Sequence, residues 1–323
     1  MKKIKKKLLY FVSMPIIVLV CIVSINIIYN NAKQELNHEF VYEQVDQHFH
    51  KVYLLDDSNM LVPLTVEVNS KENLVDEIYT VIANLRDLEV EGFTNTLAKD
   101  IKINKIELKD GILNIDFSNE FLNYNKDLEE RILESLTWSV LDFKEIKGLT
   151  ISVDGNELKK MPLNGLVLPN VLDKSIGINK YHDMINKCSD CSSVIVVYSK
   201  VINDKEYYIP VTRNVINNDN FEFVEAYNME VSVLSGLNKV YDLSNLNDLK
   251  VEDNILKVNV SNEYLIEENI ISENIYNLWS VVSYFNDYEY VVNFFVDGES
   301  VMVNGYQSLE KEVGLININE VKI

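Results

Sequence analysis

Glycine and proline are scarce in this chain, 10 and 5 among 323 residues, which leaves little room for glycine-rich phosphate loops. No P-loop or dinucleotide-binding fingerprint occurs. Cysteine is scarcer still: of the three, Cys21 sits in an apolar N-terminal run, and Cys188 and Cys191 form a single C-x-x-C. Outside the cytoplasm such a pair suits a small disulfide loop or plain thiols. Zinc would need two further ligands, with only His182 near in sequence, and redox chemistry would need a thioredoxin-like helix start. Positive charge is also thin. Five of the 30 basic residues precede Leu8 and no acid precedes Glu35, so the remainder carries 25 basic against 50 acidic residues. A surface of that sign repels nucleic acid and reads as a solvated face. No acidic stretch has calcium-loop spacing, and neither a metal nor another cofactor is expected.

What is present at the N-terminus is a membrane-sized run. Lys2, Lys3, Lys5, Lys6 and Lys7 precede an uncharged stretch, Leu8 to Ile28, whose 21 residues span about 31 Å as a helix, the thickness of a hydrocarbon core. The lysines stay cytoplasmic by the positive-inside rule. Residues 1–29 then form a single-pass anchor in the cell membrane, 30–47 a linker, and everything beyond is extracytoplasmic. A cleaved signal peptide would have a shorter apolar region ending at small residues. Lipid attachment at Cys21 lacks a small residue in the preceding Val18-Leu19-Val20, and Ile22-Val23 continues the apolar run.

Beyond the anchor the chain says nearly the same thing twice. Val52-Tyr53 returns as Val197-Tyr198, Pro63-Leu64-Thr65 as Pro210-Val211-Thr212, and Asp110-Gly111-Ile112-Leu113 as Asp253-Asn254-Ile255-Leu256, about 143 residues later. Ser118-Asn119-Glu120 returns as Ser261-Asn262-Glu263, Trp138-Ser139-Val140 as Trp279-Ser280-Val281, and Val153-Asp154-Gly155 as Val296-Asp297-Gly298. That period is far longer than a solenoid unit, so each copy is expected to be a domain with its own core, over 48–185 and 194–323, separated by a linker at 186–193 that carries the C-x-x-C. Fragments of about 45–185 and 192–323 are expected to fold separately. With 47% hydrophobic residues the chain has the material for two cores.

Within the first copy, Lys51–Leu55 and Leu61–Val68 read as a hairpin around Asp56-Asp57-Ser58-Asn59. From Lys71 to Leu85 the apolar positions recur at three and four, the mark of an amphipathic helix laid on a sheet, with Ser70 as its expected cap. Ile101–Leu108 and Ile112–Phe117 follow as strands around Asp110-Gly111, whose glycine accepts a positive φ. A second helix over Leu128–Leu141 and a strand over Leu149–Val153 complete a ββαββαβ pattern. The second copy repeats it, with hairpin strands at Val194–Val201 and Tyr207–Val215, helices at Phe221–Leu234 and about Glu273–Tyr284, and a last strand at Val291–Val296. Both copies trail into extended segments, around Gly177-Ile178-Asn179 and Gly314-Leu315-Ile316-Asn317.

What repeats is apolar period and turn chemistry, not catalytic chemistry. Ser118-Asn119-Glu120 and Ser261-Asn262-Glu263 are the only repeated polar triplets, and neither serine is matched by a repeated histidine or lysine that could activate it. Their expected role is local, satisfying backbone groups where a strand leaves the sheet. Pro63, Pro210, Asp154, Gly155, Asp297 and Gly298 are likewise structural marks of the repeat. His48-Phe49-His50 has metal-pair spacing but no second copy, and reads as linker or edge strand. Trp138 and Trp279, at helical spacing with Leu141 and Val282, read as core aromatics.

These elements resemble the GerMN domain family of sporulation and germination proteins. The resemblance rests on Val52-Tyr53-Leu54 with Leu61-Val62-Pro63-Leu64-Thr65, on Glu91-Gly92-Phe93-Thr94-Asn95-Thr96-Leu97, on Asp110 to Ser118, and on Leu149 to Gly155. It covers nearly all of 45–323, although the second copy has no clear match to the Gly92 segment. It implies an α+β architecture of two tandem small sandwich domains, helices packed on one side of a sheet, similar to ring-building folds of secretion and sporulation channels. It also implies a non-enzymatic scaffold that meets other envelope or sporulation-complex proteins and that can oligomerise. The competing expectation is a binding module for a cell-wall or small-molecule ligand, held in a groove between the two domains.

Overall fold

The computed structural model describes residues 49–68, 73–180, 191–216, 236–239, 246–253 and 255–260, with shorter stretches between 265 and 321. The Leu8–Ile28 run and the expected helix at Phe221–Leu234 lie outside the described residues. Among the described residues no helix is long and apolar enough to cross a membrane. Both copies fall within one compact unit, residues 46–323.

The first copy opens with an antiparallel hairpin of β1 (Phe49–Leu55) and β2 (Leu61–Glu67). Helix α1 (Leu74–Asp87) buries Ile78, Val81, Ile82 and Leu85, the three-and-four stripe read from the sequence. Its cap is Asn73 and not Ser70, which lies outside the described residues: the Asn73 side chain accepts from the Asp76 amide at 3.0 Å, so the helix starts at Leu74. Strands β3 (Ile103–Lys109) and β4 (Ile112–Phe117) turn through Asp110 and Gly111, with φ of +54° and +82°. Two successive positive φ values make the turn whose twist matches an antiparallel pair. Helix α2 (Glu129–Val140) then crosses to β5 (Gly148–Val153), which pairs parallel to β4, and a short β6 (Asn156–Glu157) adds an antiparallel edge. The sheet order is β3-β4-β5-β6.

Helix α2 is buried on nearly every side, from Ile132 to Val140. The sheet covers one flank and the β1–β2 hairpin the other, so the helices form a middle layer and are more enclosed than a helix lying on one face of a sheet. Small residues make this possible. Ser135 donates to the Tyr53 carbonyl at 2.9 Å and Ser139 accepts from the Tyr53 amide at 3.3 Å, so the edge of β1 finds hydrogen bonds on the helix itself.

The second copy repeats the plan. Strands β7 (Cys191–Ile202) and β8 (Lys205–Ile216) form a longer hairpin, joined by β9 (Asn238–Lys239). After β10 (Leu246–Glu252) and β11 (Ile255–Val260) come the short β12 (Leu265–Glu267) and β13 (Ile270–Ile271), then α3 (Glu273–Phe285), β14 (Val292–Val296) and β15 (Glu299–Ser300). The order β10-β11-β14-β15, with only β11 and β14 parallel, reproduces the first sheet strand for strand. With β16 (Met302–Val303) and β17 (Tyr306–Gln307), β12 and β13 build a further small sheet.

Candidate functional site: the junction between the two copies

The polar chemistry of the fold converges where the copies meet. Their second hairpin strands, β2 and β8, lie side by side. Two asparagines from the trailing segments bridge them. Asn179, from the first copy, accepts from the Leu61 amide at 2.7 Å and donates to the carbonyls of Leu61 at 2.8 Å and Pro210 at 2.9 Å. Asn319, from the second, accepts from the Tyr208 amide and donates to the carbonyls of Tyr208 and Pro63, all at 2.8 Å. Leu61, Pro63 and Thr65 stand to Tyr208, Pro210 and Thr212 as repeat counterparts, so the two bridges are the same bridge made twice.

The backbone around each asparagine completes the exchange. The Thr212 amide donates to Ile178 at 2.8 Å and the Ile178 amide returns to the Thr212 hydroxyl at 2.8 Å. In mirror fashion the Thr65 amide and hydroxyl both donate to the Ile318 carbonyl, at 3.2 and 2.6 Å. Each copy's tail therefore closes across the other copy's hairpin. Asn179 and Asn319 hold φ of +48° and +57°, a left-handed conformation that asparagine tolerates better than most residues.

This geometry explains the repeated prolines. The N–H and C=O of one strand residue point to the same side, and the carbonyls of Pro63 and Pro210 point at the crossing asparagines. An amide hydrogen there would face the same crowded seam without an acceptor. Proline supplies the carbonyl and omits the donor.

A second contact has no close counterpart among the described residues. Gly92, at φ +89°, lies under the β7–β8 turn, and a Cβ built on it would sit 2.7 Å from Ile202 Cγ2 and 2.8 Å from Asn203 Nδ2. Beside it Phe93 meets Tyr207 edge-on at 5.1 Å. Lys200, from β7, reaches Asp56 at 2.7 Å, Asp57 at 2.5 Å and Ser58 at 2.8 Å in the β1–β2 turn. These contacts run from the second copy's hairpin onto the first. Gly236, at φ +74° ahead of the Asn238–Ser199 pairing as Gly92 is ahead of Thr94–Leu55, holds the equivalent place in the second copy, and among the described residues nothing lies within 4 Å of its Cβ position. Gly92→Ala is expected to cost about 2–3 kcal/mol, from the strained φ together with the clash. A shift of the urea midpoint at unchanged slope measures it; an unchanged midpoint contradicts the close approach.

A buried ion pair closes the far end. Lys51 and Asp142, each with a side chain 3% exposed, meet at 3.1 Å, and the Lys51 amide donates to the same carboxylate at 3.0 Å. Tyr284, at the end of α3, donates its hydroxyl to Asp142 at 2.5 Å, and the Lys51 ammonium lies 4.4 Å from its ring centroid. Burial pushes the Asp142 carboxyl up, but Lys51, the Tyr284 hydroxyl and the Lys51 amide outweigh it and hold the group below the ordinary aspartate value. His50 flanks the pair, 3.9 Å from Asp142 and 3.8 Å from Glu77, stacked on Phe143 at 4.1 Å. It belongs to β1, which is an edge strand. Above this network opens a cleft of about 530 Å³ between the end of α2, the segment at Asp173–Ser175 and the end of α3.

The repeat-signature residues are distributed along the scaffold. Ser118 accepts from the Lys102 amide at 3.0 Å and leads into a short 3-10 turn, Asn119–Leu122. The Ser118 hydroxyl holds the half-buried Glu120 carboxyl below its ordinary range. Asp154 and Gly155 form a tight turn, with φ of +47° and +77°, and the Gly155 amide donates to Asp116 at 2.8 Å. Gly298 makes the equivalent contact to Asn259 at 3.2 Å. Ser261, Asn262, Glu263 and Asp297 lie outside the described residues. Cys191 opens β7 and is disulfide-bonded, and Cys188 lies outside the described residues. Trp138 is buried and donates to the Gly177 carbonyl at 2.8 Å; Trp279 is buried as well. Sequence reading missed the crossing asparagines and the Lys51–Asp142–Tyr284 network. For the second tail, the signal lay in Ile316-Asn317-Ile318-Asn319, which offers two registers against Ile178-Asn179; the structure uses Asn319, and Asn317 lies outside the described residues.

Two hairpin–helix–sheet units with their tails exchanged define the class: the chain has the tandem GerMN-domain fold. Residues 51–159 match the Germane family, described as sporulation and spore germination. The chain resembles GerM of Bacillus subtilis. Against the solved tandem GerMN domains of the sporulation protein GerM from that organism it superposes with a TM-score of 0.72 at 25% identity, covering 84% of this chain and 99% of that one. Against the curated spore germination protein GerM from strain 168 it is 30% identical over 181 residues, which is 55% of this chain and 50% of the relative. The match thus spans about half the length of the curated relative.

Proposed function

We propose that this protein is a GerM-like, non-enzymatic scaffold acting in sporulation or spore germination, held at the cell membrane by its N-terminal apolar run with both GerMN domains extracytoplasmic. The observation that carries the reading is the reciprocal junction. Among the described residues the repeated asparagines and threonines of the junction are spent on joining the two copies, so the pair works as one preformed body that presents fixed edges and faces to protein partners. The sheet edges at β3 and β10 are available in that body for such contacts, since neither carries a second hydrogen-bonded neighbour among the described strands. Cross-linking the full-length chain in its own cells through starvation, followed by mass spectrometry, is expected to recover a defined set of envelope or sporulation proteins. Recovery of none, or the same set from growing cells of a strain whose deletion leaves spores unaffected, contradicts the proposal.

A further inference from the structure

We propose that the cleft at the junction binds a small organic anion, a phosphate or carboxylate group on an apolar body, a function separate from scaffolding. Its size, about 530 Å³, falls in the range of small-ligand sites, and both copies wall it. Phe143 and Ile146 from the segment after α2 give an apolar side, and Tyr284 from α3 an aromatic one whose hydroxyl is pinned by Asp142.

The charges sort by whether they are already committed. Asp142 is neutralised by Lys51, and Lys174 is paired with Asp287. Asp173 accepts from the Ser175 amide at 2.9 Å. Lys144 and Lys147, both exposed at the cleft, form no ion pair among the described residues. The lining carries three lysines and three aspartates, so in a protein of net charge −20 the cleft is locally neutral. It places two ammonium groups outside any described ion pair beside a half-apolar wall, which favours an anion. Lys174 sits 5.3 Å from the Trp138 ring centroid and 5.8 Å from that of Tyr284, so an anion that draws on Lys174 changes the surroundings of a buried tryptophan.

The test titrates the full-length chain in detergent with phenyl phosphate, inorganic phosphate and benzoate, read by tryptophan fluorescence and by amide shifts at Lys144 and Lys147. Phenyl phosphate or benzoate is expected to saturate, tighter than inorganic phosphate, and the arm that saturates more tightly identifies the head group. Lys144→Ala with Lys147→Ala is expected to weaken it about tenfold or more, each lysine contributing a charge-assisted bond, while Lys159→Ala on the remote β6 side leaves it unchanged. Both lysines are exposed, so the double variant should keep the wild-type circular dichroism. Equal affinity for inorganic phosphate and phenyl phosphate, a titration that never saturates, or a double variant that binds like wild type overturns the proposal.

Discussion

Asn179→Ala is expected to lower the stability of the folded chain by about 4 kcal/mol. The side chain is 1% exposed and serves three buried backbone groups, the Leu61 amide and the carbonyls of Leu61 and Pro210. Alanine leaves all three without a partner where water has little access, and it must also hold φ near +48°. These contributions separate by experiment. Asn179→Gly keeps the left-handed backbone at low cost and should recover about 1 kcal/mol of the loss, leaving the hydrogen-bond part. Asn319→Ala, the mirror change at an 8% exposed site, should cost somewhat less. Urea denaturation of the three variants decides; a loss under about 1 kcal/mol for Asn179→Ala would mean that the bridge contributes little net stability.

The second large effect is expected at Lys51. Lys51→Met leaves the Asp142 carboxylate buried beside Tyr284 with its cation gone, at a cost of about 3–5 kcal/mol near neutral pH. Adding Asp142→Leu should recover most of that, because removing both charges removes the desolvation cost together with the attraction. Acid tests the same pair. The folded-state pKa of Asp142 is depressed, so its contribution is complete above the unfolded value, about 3.9, and is lost as pH falls through the lower folded value. Wild-type stability should therefore drop below about pH 4, and Asp142→Asn should flatten the curve in that window. His50 and Glu77 face the same pocket and are unchanged in that variant, so the difference between the two curves isolates Asp142. Glu134 acts in the opposite sense: burial outweighs its Arg131 partner and raises its carboxyl, so stability improves as pH falls through that raised value. Parallel curves for wild type and Asp142→Asn would contradict the account.

Much of each copy is legible in residue order because local rules and packing agree there. Helix α2 falls within one residue of the expected Leu128–Leu141, and β4 falls on Ile112–Phe117, because apolar period and the Asp110-Gly111 turn act over short distances. The start of α1 was less legible, since Ser70 and Asn73 are both good caps and only the backbone decides which side chain reaches an amide. The junction was the least legible part. Asn179 and Pro210 are bridged across more than thirty residues, and Asn319 and Pro63 across most of the chain, so no local pattern marks them. The repeated prolines were visible as marks of the duplication, yet their carbonyls have a role only once two hairpins lie edge to edge. The Ile-Asn pairs of the tails were visible too, but a tandem Ile-Asn-Ile-Asn cannot choose its own register.

The most direct test of a junction that binds two copies into one body is native-state hydrogen exchange at the amides of Thr65 and Thr212. These donate to Ile318 and Ile178, carbonyls of the opposite copy, and are protected only while both tails are in place. If the copies form one cooperative unit, both amides exchange together, at the free energy of global unfolding and in step with core amides such as Ile115 and Val258. Fast exchange at Thr65 or Thr212 while those cores stay protected would show that the tails open freely, and that the two copies are neighbours on a string and not one body.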